Sequence, residues 1–141
     1  MQWVECEPPE AGRGEVLVEN RAIGINYIDT YIRSGLYSAP LPSGIGTEAA
    51  GVVVSVGSGV NDFKPGDRVV YGQSALGAYS EYHTVPADRL VTLPDYISFE
   101  QAAAVFMKGL TVHYLLCETY TVEKDECFLF HAAAGGVGLL A

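Results

Sequence analysis

Ala49-Ala-Gly-Val-Val-Val-Ser-Val56 is apolar except for one serine, and Gly57-Ser-Gly59 stops it. A short, nearly all-apolar run bounded by turn residues reads as a strand covered on both faces. Just beyond it, Phe63-Lys-Pro-Gly-Asp67 is a turn that delivers a second short strand, Arg68-Val-Val-Tyr71. Glu15 to Ala22 before this pair, and Ala78 to Val85 and Leu90 to Leu93 after it, are further strand candidates. Many short strands cut by turns predict a mainly β fold with a few helices, built as a closed or partly closed β-barrel.

Three helices are predicted around these strands. Asn26 to Ser34 opens with Asn as N-cap and Asp29 at the third helical position. It sets Ile28, Tyr31 and Ile32 on one face and stops at Gly35. Ser98-Phe-Glu-Gln101 is a capping box, followed by Phe99, Ala102, Ala103 and Phe106 at helical spacing. Thr111 to Thr119 is expected to carry Val112, Leu115 and Leu116 inward, with Thr111 as its N-cap after Gly109.

The last stretch changes character. Glu126-Cys-Phe-Leu-Phe-His131 reads as an apolar strand running into Ala132-Ala-Ala-Gly-Gly-Val-Gly138, a strand, glycine turn and helix start. Ala133-x-Gly135-x-x-Gly138 is a G-x-G-x-x-G variant with Ala in the first place. Its middle glycine lets backbone N–H groups approach a pyrophosphate, and the following helix offers its positive end. Alone the motif is weak; its place directly after an apolar strand strengthens it. The residue that selects NAD or NADP, expected about 20 positions on, lies past Ala141.

The composition narrows the partners. Eight basic against 17 acidic residues leave a net charge of −9 over 141 residues, which disfavours a phosphate backbone as partner. No apolar run approaches the roughly 18 residues a membrane span needs, and the first ten residues lack the pattern of a signal peptide. Cys6, Cys117 and Cys127 cannot pair completely and show no C-x-x-C spacing, which fits a reducing, cytoplasmic setting and inert buried thiols.

Gly24-Ile-Asn-Tyr-Ile-Asp-Thr-Tyr-Ile-Arg-Ser-Gly-Leu-Tyr37, Gly46-Thr-Glu-Ala-Ala-Gly51, Pro65-Gly-Asp-Arg-Val69, Ser74-Ala-Leu-Gly-Ala-Tyr79 and His131-Ala-Ala-Ala-Gly-Gly-Val-Gly138 carry a specific resemblance. With these motifs in order along the whole chain, it resembles the zeta-crystallin-like quinone oxidoreductases, in the zinc-free branch of the medium-chain dehydrogenase/reductase superfamily. The resemblance implies a GroES-like β-barrel catalytic domain over residues 1–108. Residues 109–141 would open a Rossmann domain, with NADPH in the cleft between the two. Chains of that family are more than twice as long and form homodimers. The sequence is therefore expected to be an amino-terminal fragment without the first strand and most of the Rossmann domain, inactive and weak in NADPH binding by itself.

The zinc-bearing relatives place Cys where Asn26 stands and His where Thr47 stands, before an acidic residue that remains as Glu48. Asn and Thr are poor zinc ligands, and Val70 to His83 holds no cysteine for a structural lobe, so no metal is expected. The resemblance places Asn26, Tyr31 and Tyr37 beside nicotinamide and substrate. It gives Tyr27, Ile28, Asp29, Thr30, Tyr31, Tyr114, Gly136, Val137, Gly138, Leu139 and Leu140 as cofactor contacts, with Thr111 nearby and Gly135 in the phosphate turn.

Each has a plainer reading. Asn26 and Thr111 could serve only as helix caps, Tyr31 as core and Tyr37 as loop packing. His113 and His131 read as satisfied structural histidines, and His83 as a strand surface residue. For function, reduction of a quinone or a related small electrophile by NADPH leads. Reduction of an alkenal or enone carbon–carbon bond is the second enzyme reading, and a crystallin-like or RNA-binding role is the non-catalytic one.

Overall fold

The computed structural model describes residues 1–141. Five strands, β1 (Glu15–Ile23), β2 (Ala49–Val56), β3 (Arg68–Tyr71), β4 (Tyr82–Pro86) and β5 (Leu90–Thr92), form one antiparallel sheet in the order β4-β1-β2-β3-β5. Its edges stay apart, so the sheet is a curled half-barrel. Of the two forms expected, closed or partly closed, the partly closed one is found. Helix α1 (Tyr27–Ser34) lies between β1 and β2, and helix α2 (Phe99–His113) follows β5.

The sheet is covered on two sides, and β2 shows why its sequence is so apolar. Ala49 and Val53 join Val16, Val18, Val69, Tyr71, Val85 and Leu90 in one buried cluster. Ala50 faces the other way, into a second cluster with Val70, Leu93, Ala102 and Ala103, where α2 packs. The double cover reaches only the first part of the strand, for Val54 is 40% exposed.

The pairing of β1 with β2 slips between Leu17 and Val18 and again between Asn20 and Ala22, the irregularities that bend a sheet. Near the second slip the strands nearly touch: a Cβ on Gly51 would overlap the Glu19 carbonyl. Asn20 fastens this corner, since its amide donates to the carbonyls of Ala78 (3.2 Å) and Ser80 (2.9 Å) while its oxygen accepts from the Tyr71 hydroxyl (3.0 Å).

Several elements differ from expectation. The strand foreseen from Ala78 begins only at Tyr82, because Gly77 and Ala78 donate instead to the carbonyl of Gly46 and Tyr79 to that of Ile45. Pairing of Val18 with His83 turns the histidine inward with Val85, so it is a buried residue against Tyr71, not a surface one. On α1 the buried residue is Asp29, while Ile28 is 40% exposed.

Helix α2 runs unbroken through Gly109 to His113 and continues as a wider π-type turn over Tyr114–Thr119, so no separate helix starts at Thr111. Thr111 is no N-cap: inside α2 its hydroxyl donates to the Met107 carbonyl at 2.9 Å. Leu115 is 38% exposed rather than inward. Glu126 to His131 is not a strand, and Ala132 to Leu140 forms turns in place of a helix start. A parallel strand needs neighbours on its edges, and no other segment pairs with this one. His113, His131 and all three cysteines are exposed, not buried, because they sit on these sparsely packed pieces or, for Cys6, on the outlying amino-terminal residues.

Gly51→Ala should destabilise the fold by about 1–3 kcal/mol, since the atom it meets is backbone and cannot swing aside. Urea unfolding measures it; a midpoint matching the parent would show that the close approach of β1 and β2 is not required.

Candidate functional site

Glu48 stands just before β2 with no exposed surface. One carboxylate oxygen accepts the Met107 backbone N–H (2.7 Å). The other accepts the Asn26 side-chain N–H (2.7 Å) and lies 3.9 Å from the Lys108 ammonium. Gly24 makes room, for a Cβ there would overlap this carboxylate. The Asn26 side-chain oxygen faces Lys108 Nζ at 3.5 Å. Three segments distant in sequence thus meet on one buried charge.

This changes the reading of Asn26. It does occupy the N-cap position of α1, with extended φ −124° and ψ 149°, and forms a capping box with Asp29, while its side-chain N–H goes to Glu48. The helix start is tied by Asp29, whose Oδ2 accepts the Asn26 backbone N–H at 2.9 Å. The Tyr79 hydroxyl donates to the same oxygen at 3.0 Å. Burial, then that carboxylate, pushes the Tyr79 pKa from 10.0 up to about 12. Asp29 Oδ1 has no hydrogen-bond partner.

The tyrosines form a row on the outside of α1. The rings of Tyr27 and Tyr31 meet edge to face at 5.2 Å between centroids, and those of Tyr31 and Tyr37 lie tilted at 5.3 Å. Gly35 turns the chain with φ 79°, which brings Tyr37 back so that its N–H donates to the Tyr31 carbonyl. Tyr31 is half-buried, while Tyr27 and Tyr37 are largely exposed. A cavity of about 470 Å³ past the end of α1 is lined by Tyr37 together with Arg33, Leu41 and Ile45, but not by Asn26 or Tyr31.

On the other side of the cluster lies the glycine turn. The N–H groups of Gly135, Leu139 and Leu140 are used within it, whereas those of Gly136, Val137 and Gly138 have no protein acceptor. Consecutive N–H groups left free in a turn are available to an anion such as a phosphate. The Lys108 stem runs over Gly136, where a Cβ would come within 2.8 Å of its Cδ. Thr111 follows one turn later on α2.

The structure therefore gathers Asn26 and Gly136 around Glu48 and Lys108, while the Thr111 hydroxyl is spent on the Met107 carbonyl within α2. Tyr114, Leu139 and Leu140 stand exposed, Thr30 spends its hydroxyl on the Tyr27 carbonyl, and the Asp29 carboxylate points into the protein. Lys108 escaped sequence reading. Its signal was present: it is the one Lys, Arg, Asp or Glu in the otherwise uncharged stretch Ala102 to Cys117. No three His, Cys, Asp or Glu side chains converge as a metal site.

Glu48→Ala should cost about 3–5 kcal/mol, the range for breaking a buried pair and leaving its partners unmatched. Glu48→Gln, which keeps the shape, should cost less. Guanidinium unfolding of both variants is the check; an alanine variant as stable as the parent would remove Glu48 from this role. Tyr79 gives a second expectation. Its folded pKa lies above the unfolded value, so its contribution is complete below pH 10 and is lost as the pH rises through about 12. The stability difference between the parent and Tyr79→Phe should shrink between pH 9 and pH 12; a constant difference would contradict it.

Comparison with known proteins fits this picture. Residues 12–95 match the alcohol dehydrogenase GroES-like domain. Quinone oxidoreductase 1 of Escherichia coli K12 is 66% identical over 142 aligned residues, covering 100% of this chain and 43% of the relative. A 2-haloacrylate reductase of a Burkholderia species is 41% identical, covering 96% of this chain and 43% of that protein. The crystal structure of E. coli quinone oxidoreductase complexed with NADPH superposes with a TM-score of 0.95 at 67% identity, over 96% of this chain and 42% of that one. The chain thus spans well under half the length of these relatives. With the half-barrel and the matched residues agreeing, the chain belongs to the alcohol dehydrogenase GroES-like domain family.

Proposed function

We propose that this chain is the barrel portion, residues 1–108, and the opening of the cofactor unit, residues 109–141, of a zinc-independent NADPH:quinone oxidoreductase. The observation that carries the reading is the two-thirds identity to the E. coli quinone oxidoreductase, solved with NADPH, across nearly all of this chain. Helix α2 bridges the two parts, and the exposed, unpaired cysteines suit a cytoplasmic location.

In this reading the N–H groups of Gly136, Val137 and Gly138 hold the pyrophosphate, and the nicotinamide and the substrate lie beside Asn26 and Tyr31. NADPH supplies the hydride when bound. The protein then has little chemistry left to do: it orients, keeps water out and receives charge. As a quinone gains a hydride, negative charge grows on an oxygen. The Asn26 amide uses one N–H on Glu48 and keeps the other for that oxygen, and the Tyr31 hydroxyl is a second donor. Water can protonate the product oxygen afterwards. The row of Tyr27, Tyr31 and Tyr37 offers flat aromatic faces to a flat ring. The likeness to a 2-haloacrylate reductase favours one second reading, hydride delivery to an activated carbon–carbon double bond.

Tyr31→Phe in the full-length enzyme should lower kcat by about tenfold to a thousandfold without abolishing turnover, the range for loss of one charge-stabilising donor. Stopped-flow oxidation of NADPH with several quinones and enones measures it. Unchanged kcat and kcat/KM would leave Tyr31 as packing, and turnover of enones alone would favour the second reading.

A further inference from the structure

Resting on that reading, one feature of the cluster bears on how the substrate oxygen is met. A side-chain amide carries a donor and an acceptor of nearly equal size, and its neighbours decide which end faces where. Around Asn26 the neighbours leave no choice. The Glu48 carboxylate only accepts, at 2.7 Å from the amide nitrogen, and the Lys108 ammonium only donates, at 3.5 Å from the amide oxygen. A flipped amide would set oxygen against carboxylate and N–H against ammonium.

We propose that Lys108 is a positioning residue for carbonyl reduction: held by buried Glu48, its ammonium engages the Asn26 oxygen and so keeps the second amide N–H free as a donor to the substrate oxygen. Both contacts favour the same orientation, and Lys108 adds to the preference that Glu48 sets. Without Lys108 the reversed amide is more populated, and in that state a carbonyl oxygen would meet the amide oxygen. Glu48 anchors the ammonium because it is fully buried and is itself fixed by the Met107 N–H, one residue from Lys108 on α2. The lysine side chain remains 20% exposed, so the cluster reaches the surface instead of being sealed in the core. Its stem also lies over Gly136, which places the same side chain against the turn assigned to the cofactor phosphates.

The test uses Lys108→Met and Lys108→Arg in the full-length enzyme. Methionine keeps an apolar stem over Gly136 and loses the charge; arginine keeps the donor. Lys108→Met should lower kcat for quinones by about ten- to a hundredfold, less than the outright loss of a donor. Because the variant also removes a positive charge beside the turn assigned to the phosphates, kcat is read at saturating NADPH and the NADPH dissociation constant is measured separately. Lys108→Arg should recover most of the rate. Equal losses in both variants, or a Lys108→Met enzyme with parental kcat, would overturn the proposal. The Asn26 side-chain amide signals in nitrogen-15 NMR, recorded without substrate or cofactor, give a separate readout. Exchange between two amide orientations should broaden or shift these signals in Lys108→Met and not in the parent or Lys108→Arg; identical behaviour in all three would also overturn it. A parent enzyme that reduces no quinone would refute the proposed function, while the amide signals would still decide whether Lys108 holds Asn26.

Discussion

A carboxylate with no solvent is the constraint around which the site is built. Glu48 cannot stay charged inside the protein unless its oxygens are matched, and no neighbour in sequence can match them. The partners come from the start of α1, through Asn26, and from the middle of α2, through the Met107 N–H and Lys108. Satisfying one buried charge therefore fixes where two helices lie relative to the sheet. Gly24 follows from the same demand, since any side chain there would displace the carboxylate.

The sheet supplies the platform. Its two slips between β1 and β2 curl it, and the double cover over the first part of β2 sets α2 against the face opposite the larger core cluster. Glu48 enters β2 at the point where those two layers meet. Gly46, whose carbonyl receives the N–H groups of Gly77 and Ala78, holds the loop that carries Tyr79 toward Asp29. The packing that curls the half-barrel and the polar contacts around the site thus share residues.

The polar groups divide by neighbourhood. Asp29 Oδ2 accepts the Tyr79 hydroxyl beneath α1, and burial, then that carboxylate, raises the Tyr79 pKa from 10.0 to about 12. His83 is pressed against Tyr71 with its pKa lowered, chiefly by burial, while the Ala75 carbonyl and Glu15 pull the other way. These pairs stabilise the barrel. The Asn26, Glu48 and Lys108 group differs because it borders the glycine turn and retains unspent N–H donors.

Sequence by itself determined the strands around Ala49 to Val56, the bounds of α1 and the capped start of α2. These depend on local events: an apolar run, a turn residue, or a cap within four positions. Recognisable motifs also pointed to Asn26 and to the glycine turn. Only the tertiary structure decided that the Asn26 amide N–H goes to Glu48, that His83 faces inward and that Lys108 stands beside them. Each depends on which distant segment lies opposite, 22 residues away for Asn26 and Glu48 and 82 for Asn26 and Lys108. The same physics governs Glu126 to His131: apolar character was legible, but a strand exists only where another edge takes its hydrogen bonds, and here none does.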